Sequence, residues 1–247
     1  MSGSIQLVAA GGIFYEKKLA VLANNLSNIS TVGFKRDQVF RVPGLKANPE
    51  GSSIPGKSQN LFSIMPFGTR SDFSPGSLKH TGNALDLSVG GNGFFCIETP
   101  EGIQYTKKGN FTLNDQGALV TQEGLPVLGE GGEMKIDGKN VVVDKEGNIS
   151  VDGNSVDTIK VVNFSEPHAQ LKKVGASLFA LADPDIAESE AEEVEVRQGF
   201  VEFSNVDAIR VMTEMIEVLR GYESYQKIIR SINDVSLKAI NDVGRPA

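Results

Sequence analysis

Tryptophan is absent from the 247 residues, cysteine occurs once and histidine twice. A lone thiol, Cys96, excludes a disulfide framework and a cysteine metal cluster. Within GFFCIE it reads as a buried structural thiol, because free cysteine packs as a small hydrophobe. His80 and His168 have no neighbour in sequence suited to a catalytic triad or a metal site. Basic residues are in deficit: 24 Lys and Arg against 31 Asp and Glu leave a charge of −7. That sign argues against a general grip on nucleic acid. No stretch approaches the roughly 20 apolar residues that cross a bilayer, so direct membrane insertion is not expected. The opening apolar run has no basic residue before Glu16, so no cleaved secretory leader is expected either.

The glycine-rich and acidic stretches are also poor in chemistry. GGNGFF (90–95) lacks the lysine and Ser/Thr of a phosphate loop, and reads as a turn. DKEGNISVDG (144–153) places its first glycine at position 4 of a would-be calcium loop rather than 6, so a hairpin turn is expected. The run DPDIAESEAEEVEV (183–196) holds seven acids and no base; a solvated loop or strand edge is its ordinary reading. No catalytic, metal-binding or cofactor-binding residue is expected, and no enzymatic activity.

What the chain does contain is pattern. Ile5, Val8, Gly12, Tyr15, Leu19, Leu22, Leu26 and Ile29 step by three and four, an apolar stripe on a helix with Gly12 as its gap. The same rule runs through Val211, Met215, Val218, Tyr222, Tyr225, Ile229, Ile232, Ser236, Ala239 and Val243, and Met212, Ile216 and Leu219 widen that stripe. A helix over 206–243 is about 57 Å long and one over 5–29 about 37 Å. The shorter cannot cover the apolar face of the longer; such a face reads as a self-assembly surface, the alternative being that the central domain folds back to cover it. Between them, 76–203 breaks into short strands at glycine turns, the spacing of an all-β barrel or sandwich. Residues 31–75 have no strong period before that domain and read as an extended connector. The expected class is α+β, divided into 1–30, 31–75, 76–203 and 204–247.

The helix end LANNLSNISTVGFKRD (22–37) raises a difficulty. Asn24, Asn25 and Asn28 crowd its last turns, and each asparagine costs about 0.6 kcal/mol relative to alanine. At 100° per residue, Asn24 and Asn28 point away from Leu22, Leu26 and Ile29, while Asn25 borders the stripe. Gly33 is expected to end the helix as a left-handed cap, and Phe34 to begin the connector.

Three motifs in order resemble the bacterial flagellar rod and hook proteins. LANNLSNISTVGFK is similar to that family's ANNLAN-x-x-T-x-GFK signature. LKHTGNALDLSVGGNGFFCIE, followed by YTKKGNFTLNDQGALVTQEGLPVLG, resembles its central pattern, and VRQGFVEFSNVDAIRVMTEMIEVLRGYESYQ its C-terminal one. Departures are modest: Lys107 and Lys108 replace an Arg and a small residue, Ser27 replaces Ala, and Val32 replaces Pro. The length resembles the mid-sized rod proteins, and the short run after GFK is closer to the proximal than to the distal rod branch. A cell-wall glycan-binding β-domain is the alternative from another class, but the sequence offers no compelling pair of acids for a cleft.

The resemblance implies that the terminal helices pair as a coiled-coil inner domain beneath a β-rich outer domain. It implies a non-enzymatic subunit of a hollow periplasmic drive shaft, exported by the flagellar apparatus without a cleaved leader. Its partners would be copies of itself and other rod proteins. The expected assembly interface comprises Asn24, Asn25, Leu26, Asn28, Gly33, Phe34, Lys35, Ser204, Asn205, Val206, Met215, Arg220, Tyr222 and Glu223.

Overall fold

The computed structural model describes residues 2–41, 67–175, 177–184, 186, 189–190 and 195–243. The central part of the connector (42–66) and most of the acidic run therefore lie outside the described residues, as do the side chains of Ile5, Val8, Ser236, Ala239 and Val243. The protein is α+β, with a β-rich centre between two long helices.

Helix α1 is Ser2–Ser27. The strands that follow are β1 (Asp37–Arg41), β2 (Phe67–Ser71), β3 (Leu78–His80), β4 (Leu87–Val89), β5 (Gly93–Thr99), β6 (Gly102–Thr106), β7 (Thr112–Leu113) and β8 (Leu119–Val120). Next come β9 (Leu128–Gly129), β10 (Gly132–Glu133), β11 (Val141–Val143), β12 (Asn148–Val151), β13 (Asn154–Thr158) and β14 (Val161–Asn163). The one-turn α2 (Pro167–Gln170) precedes β15 (Leu171–Gly175), β16 (Leu178–Leu181), β17 (Ser189–Glu190), β18 (Val196–Gln198), β19 (Phe200–Glu202) and α3 (Ala208–Val243).

The contacts fall into two compact units. One is formed by 27–36 with 71–206, the other by the described parts of 1–26, 37–70 and 207–247. In the β-unit, a six-stranded sheet is ordered β15-β16-β6-β5-β14-β17, and every pairing in it is antiparallel. GFFCI fails to alternate apolar with polar because β5 is covered on both faces. Phe94 and Cys96 enter a core with Tyr105, Phe164 and Phe179, while Phe95 and Ile97 enter another with Leu87, Phe111, Val127 and Ile149. Successive side chains on a strand point to opposite faces, so one strand serves two cores. The hairpin expected at 144–153 is present: the Asp144 carboxylate accepts the Glu146 and Asn148 N–H groups between β11 and β12.

In the helical unit, glycine explains the gap in the first stripe. A Cβ on Gly11 or Gly12 would lie 2.9 Å from the Tyr225 ring, and one on Gly221 2.7 Å from the Tyr15 ring. Each helix thus leaves room for the other's tyrosine, and the two rings sit 6.2 Å apart. Phe14 stacks against Phe67 of β2 at 4.5 Å, and Lys17 Nζ donates to the Phe67 carbonyl at 3.1 Å. Along α3, Val211 and Val218 are buried, whereas Ile209, Met212, Ile216 and Leu219 are exposed.

Both helices start or stop away from the expected residues. Helix α1 ends at Ser27 rather than Ile29, because Asn28–Thr31 closes a turn: Thr31 N–H donates to Asn28 O, and Thr31 Oγ1 to Asn28 Oδ1. Helix α3 begins at Ala208, capped by Asp207, whose carboxylate accepts the Arg210 N–H and whose carbonyl accepts that of Val211.

Candidate functional site

Side-chain amides near the units' edges do the work of backbone. The Asn25 amide, 2% exposed, donates from Nδ2 to Asp37 O and accepts the Asp37 N–H at Oδ1, both at 2.8 Å. It thereby ties α1 to the start of β1 and satisfies two backbone groups at once. Gln198 does the same for β11, with Oε1 accepting the Val143 N–H and Nε2 donating to Val141 O. Asn205 joins three segments: Oδ1 accepts the Arg36 N–H at 2.8 Å, and Nδ2 donates to Asp72 O at 2.8 Å and Ser74 O at 3.0 Å. The penalty of asparagine in a helix is offset at Asn25 by this pair of bonds. Asn24 is exposed, and Asn28 is half-buried against Thr31.

Segment 31–36, which follows the first helix, is seated in the β-unit residue by residue. Gly33 is left-handed (φ +67), as expected, but it does not cap α1. Its N–H donates to Glu202 O at 2.8 Å, and a Cβ there would lie 2.4 Å from the Lys108 backbone nitrogen. Phe34 is buried, with the Lys173 ammonium 3.8 Å from its ring centre; Lys173 also donates to Lys35 O at 3.0 Å. Lys35 is 1% exposed and donates to Glu202 Oε1 at 2.6 Å and Ser74 O at 2.9 Å. Glu202 Oε1 also accepts the Gly76 N–H at 2.7 Å. The Arg36 guanidinium binds Asp72 Oδ2 at 2.8–2.9 Å, and Asp72 N–H donates to Arg36 O.

The charges in this seat shape one another. Burial pushes Lys107 down to about 8, the Glu202 carboxylate opposes that, and Lys35 adds to it. Its ammonium donates to the carbonyls of Gly91 (2.7 Å) and Val89 (3.4 Å) and lies over Phe94. At Asp72, burial acts to raise the carboxyl, but hydrogen bonds from Ser74 and Arg36 outweigh it and hold the group below its ordinary value. Two buried lysines and one glutamate thus share the seat, with Arg36–Asp72 at its rim. The arrangement can hold a chain segment; it offers no nucleophile paired with a base. An open cleft beside it is lined by Asp72, Ser74, Asn92, Ser165 and His168 among others, and Asp72 is the one acid among its described lining residues.

The residues singled out from the sequence divide between buried and exposed positions. Gly33, Phe34, Lys35, Ser204 and Val206 are buried within the chain, with the Ser204 hydroxyl accepting the Val206 N–H. Leu26 and Met215 are half-buried, and Arg220 and Glu223 are exposed on α3. Tyr222 donates to Glu16 across the two helices at 3.1 Å. Sequence reasoning missed Glu202, Asp72 and Lys173. A signal existed for Glu202: it is the lone acid in the apolar strand FVEF.

Comparison with known proteins bears on this geometry. Residues 88–151 match the flagellar hook protein FlgE/F/G D1 domain. Residues 197–242 match the flagellar basal body rod FlgEFG protein C-terminal region, and 16–35 the flagella basal body rod protein family. The chain is 33% identical over 232 residues to the flagellar basal-body rod protein FlgF of Caulobacter vibrioides, covering 93% of each chain. It is 32% identical to FlgG of Bacillus subtilis, covering 92% of this chain and 94% of the relative. To FlgF of Mesorhizobium japonicum it is 31% identical over 99% of both chains.

Proposed function

Because the chain belongs to the bacterial flagellar basal-body rod proteins and is a structural subunit of that rod, we propose that it polymerises with copies of itself and with other rod proteins into a hollow helical shaft. The shaft transmits torque through the periplasm and surrounds the channel used by the flagellar export apparatus, which also delivers this subunit. The supporting observation is the face of α3: Ile209, Met212, Ile216 and Leu219 recur at steps of three and four and are all exposed in the single chain. Apolar stripes of that length are covered in the working state.

In this reading, 1–30 and 204–247 pair as a coiled-coil inner domain, 76–203 forms the outer domain, and 31–75 bridges them. Exposed Asn24, Arg220 and Glu223, with half-buried Leu26, Asn28, Met215 and Tyr222, meet neighbouring subunits. The buried members of the expected interface set the shape of that surface from inside. The quick passage from GFKRDQVF to RVPG favours the proximal rod protein FlgF, with the distal protein FlgG as the alternative. Sedimentation of the purified chain should show reversible self-association that Ile216→Asp abolishes. A variant that still associates and restores swimming to a deletion strain would sink the proposal.

A further inference from the structure

The chain passes between the β-unit and the helical unit at 26/27, 36/37, 70/71 and 206/207. Three of these exits carry, within two residues, a group of one bonded knot: Arg36, Asp72 and Asn205. Asn205 binds the Arg36 N–H and the carbonyls of Asp72 and Ser74, while Arg36 and Asp72 are joined by backbone and by side chain. Immediately inside the knot, Glu202 of the C-terminal exit holds the N-terminal exit twice, through the Gly33 N–H and through the buried Lys35 ammonium. A linker meant to swivel would be solvated and weakly bonded; this one is gripped at nearly every residue.

We propose that residues 31–36, with Asp72, Glu202 and Asn205, form a mechanical clasp that binds the exits of the β-unit to one another, so that tension on one exit is borne by all three. Peeling the N-terminal exit requires breaking charge-assisted bonds from which water is excluded, and such bonds are the stronger kind. Tension or twist applied to the β-unit at any one of these exits is then shared by the other two and is not absorbed by rotation about a single strand. The use of the clasp rests on the torque-transmitting reading above, whereas its closure is a property of the isolated chain.

Hydrogen exchange on the full-length monomer, read by mass spectrometry, tests closure. Amides of 31–36 should exchange as slowly as those of β5 and β6. Lys35→Met and, separately, Asn205→Ala should speed their exchange about ten- to a hundred-fold while β5 and β6 keep their protection. Fast exchange of 31–36 in the unmodified chain overturns the proposal, even if neither variant folds. Swimming tests the mechanical part: cells carrying Asp72→Ala, which breaks the Arg36–Asp72 bonds outside the expected subunit interface, should match the parent in dilute medium and fall behind as viscosity rises. Equal speed at every viscosity, or loss of motility at all of them, removes the mechanical role. Failure of the unmodified chain to self-associate would instead strike the polymer reading and leave the exchange result standing.

Discussion

Lys107 has almost no water around it, 2% exposed, and faces one carboxylate and a second ammonium. Its folded-state value of about 8 lies below the ordinary 10.5, so folding disfavours the charged form. The penalty is fully present below about pH 8 and is relieved as pH rises toward 10.5. Urea unfolding should therefore show the chain gaining about 2 kcal/mol between pH 7.5 and 9.5 relative to Lys107→Met, which lacks the titrating group. An unchanged difference between the two proteins would show that Lys107 is solvated. Gly33→Ala combines a left-handed backbone with a Cβ 2.4 Å from the Lys108 nitrogen. It should cost about 1–3 kcal/mol, read as a lowered midpoint of thermal unfolding. At this scale the sequence was only half legible. Helical periodicity located Asn24 and Asn25 on the wheel, but no pattern in α1 announces that the Asn25 amide will find Asp37, twelve residues on and past a turn.

Strands were easier to read than the segment joining them to the helices. Gly and Asx turns bracket β11, β12 and β13 visibly, because tight turns require those residues. The span 31–75 was expected as an extended connector; of its described ends, 31–36 docks in the β-unit, and β1 pairs with β2. Docking through single side chains leaves no repeating signature, so pattern reading misses it. The consequence for fragments is direct. A piece spanning 71–206 keeps every strand of the six-stranded sheet yet leaves Glu202 buried without Lys35 and uncovers the bed of Phe34. Removing one partner of a buried ion pair costs about 3–5 kcal/mol. Denaturation of 71–206 should accordingly fall at lower urea than that of 27–206; equal midpoints would mean that the docked segment contributes nothing.

Family membership was readable from three ordered motifs, and the first and last contain residues now seen to bond: Asn25, Gly33 and Lys35 in the first, Glu202 and Asn205 in the last. The choice between FlgF and FlgG was not, as relatives of both names stand near 30% identity. Asn24 and Asn28 belong to this scale as well. The double variant Asn24→Ala with Asn28→Ala should keep the monomer's melting temperature within a few degrees, yet fail to restore swimming to a deletion strain. Full motility would remove these two residues from the subunit contacts. The bond between Lys35 and Glu202, finally, joins groups 167 positions apart. Ribosomes deliver residue 35 long before residue 202, and a passage traversed amino end first does the same. Until the last fifth of the polypeptide emerges, the Lys35 ammonium lacks its Glu202 partner, and contacts of such sequence separation form late. The β-unit therefore lacks this ion pair through most of the chain's synthesis, and its completion waits on the carboxyl end.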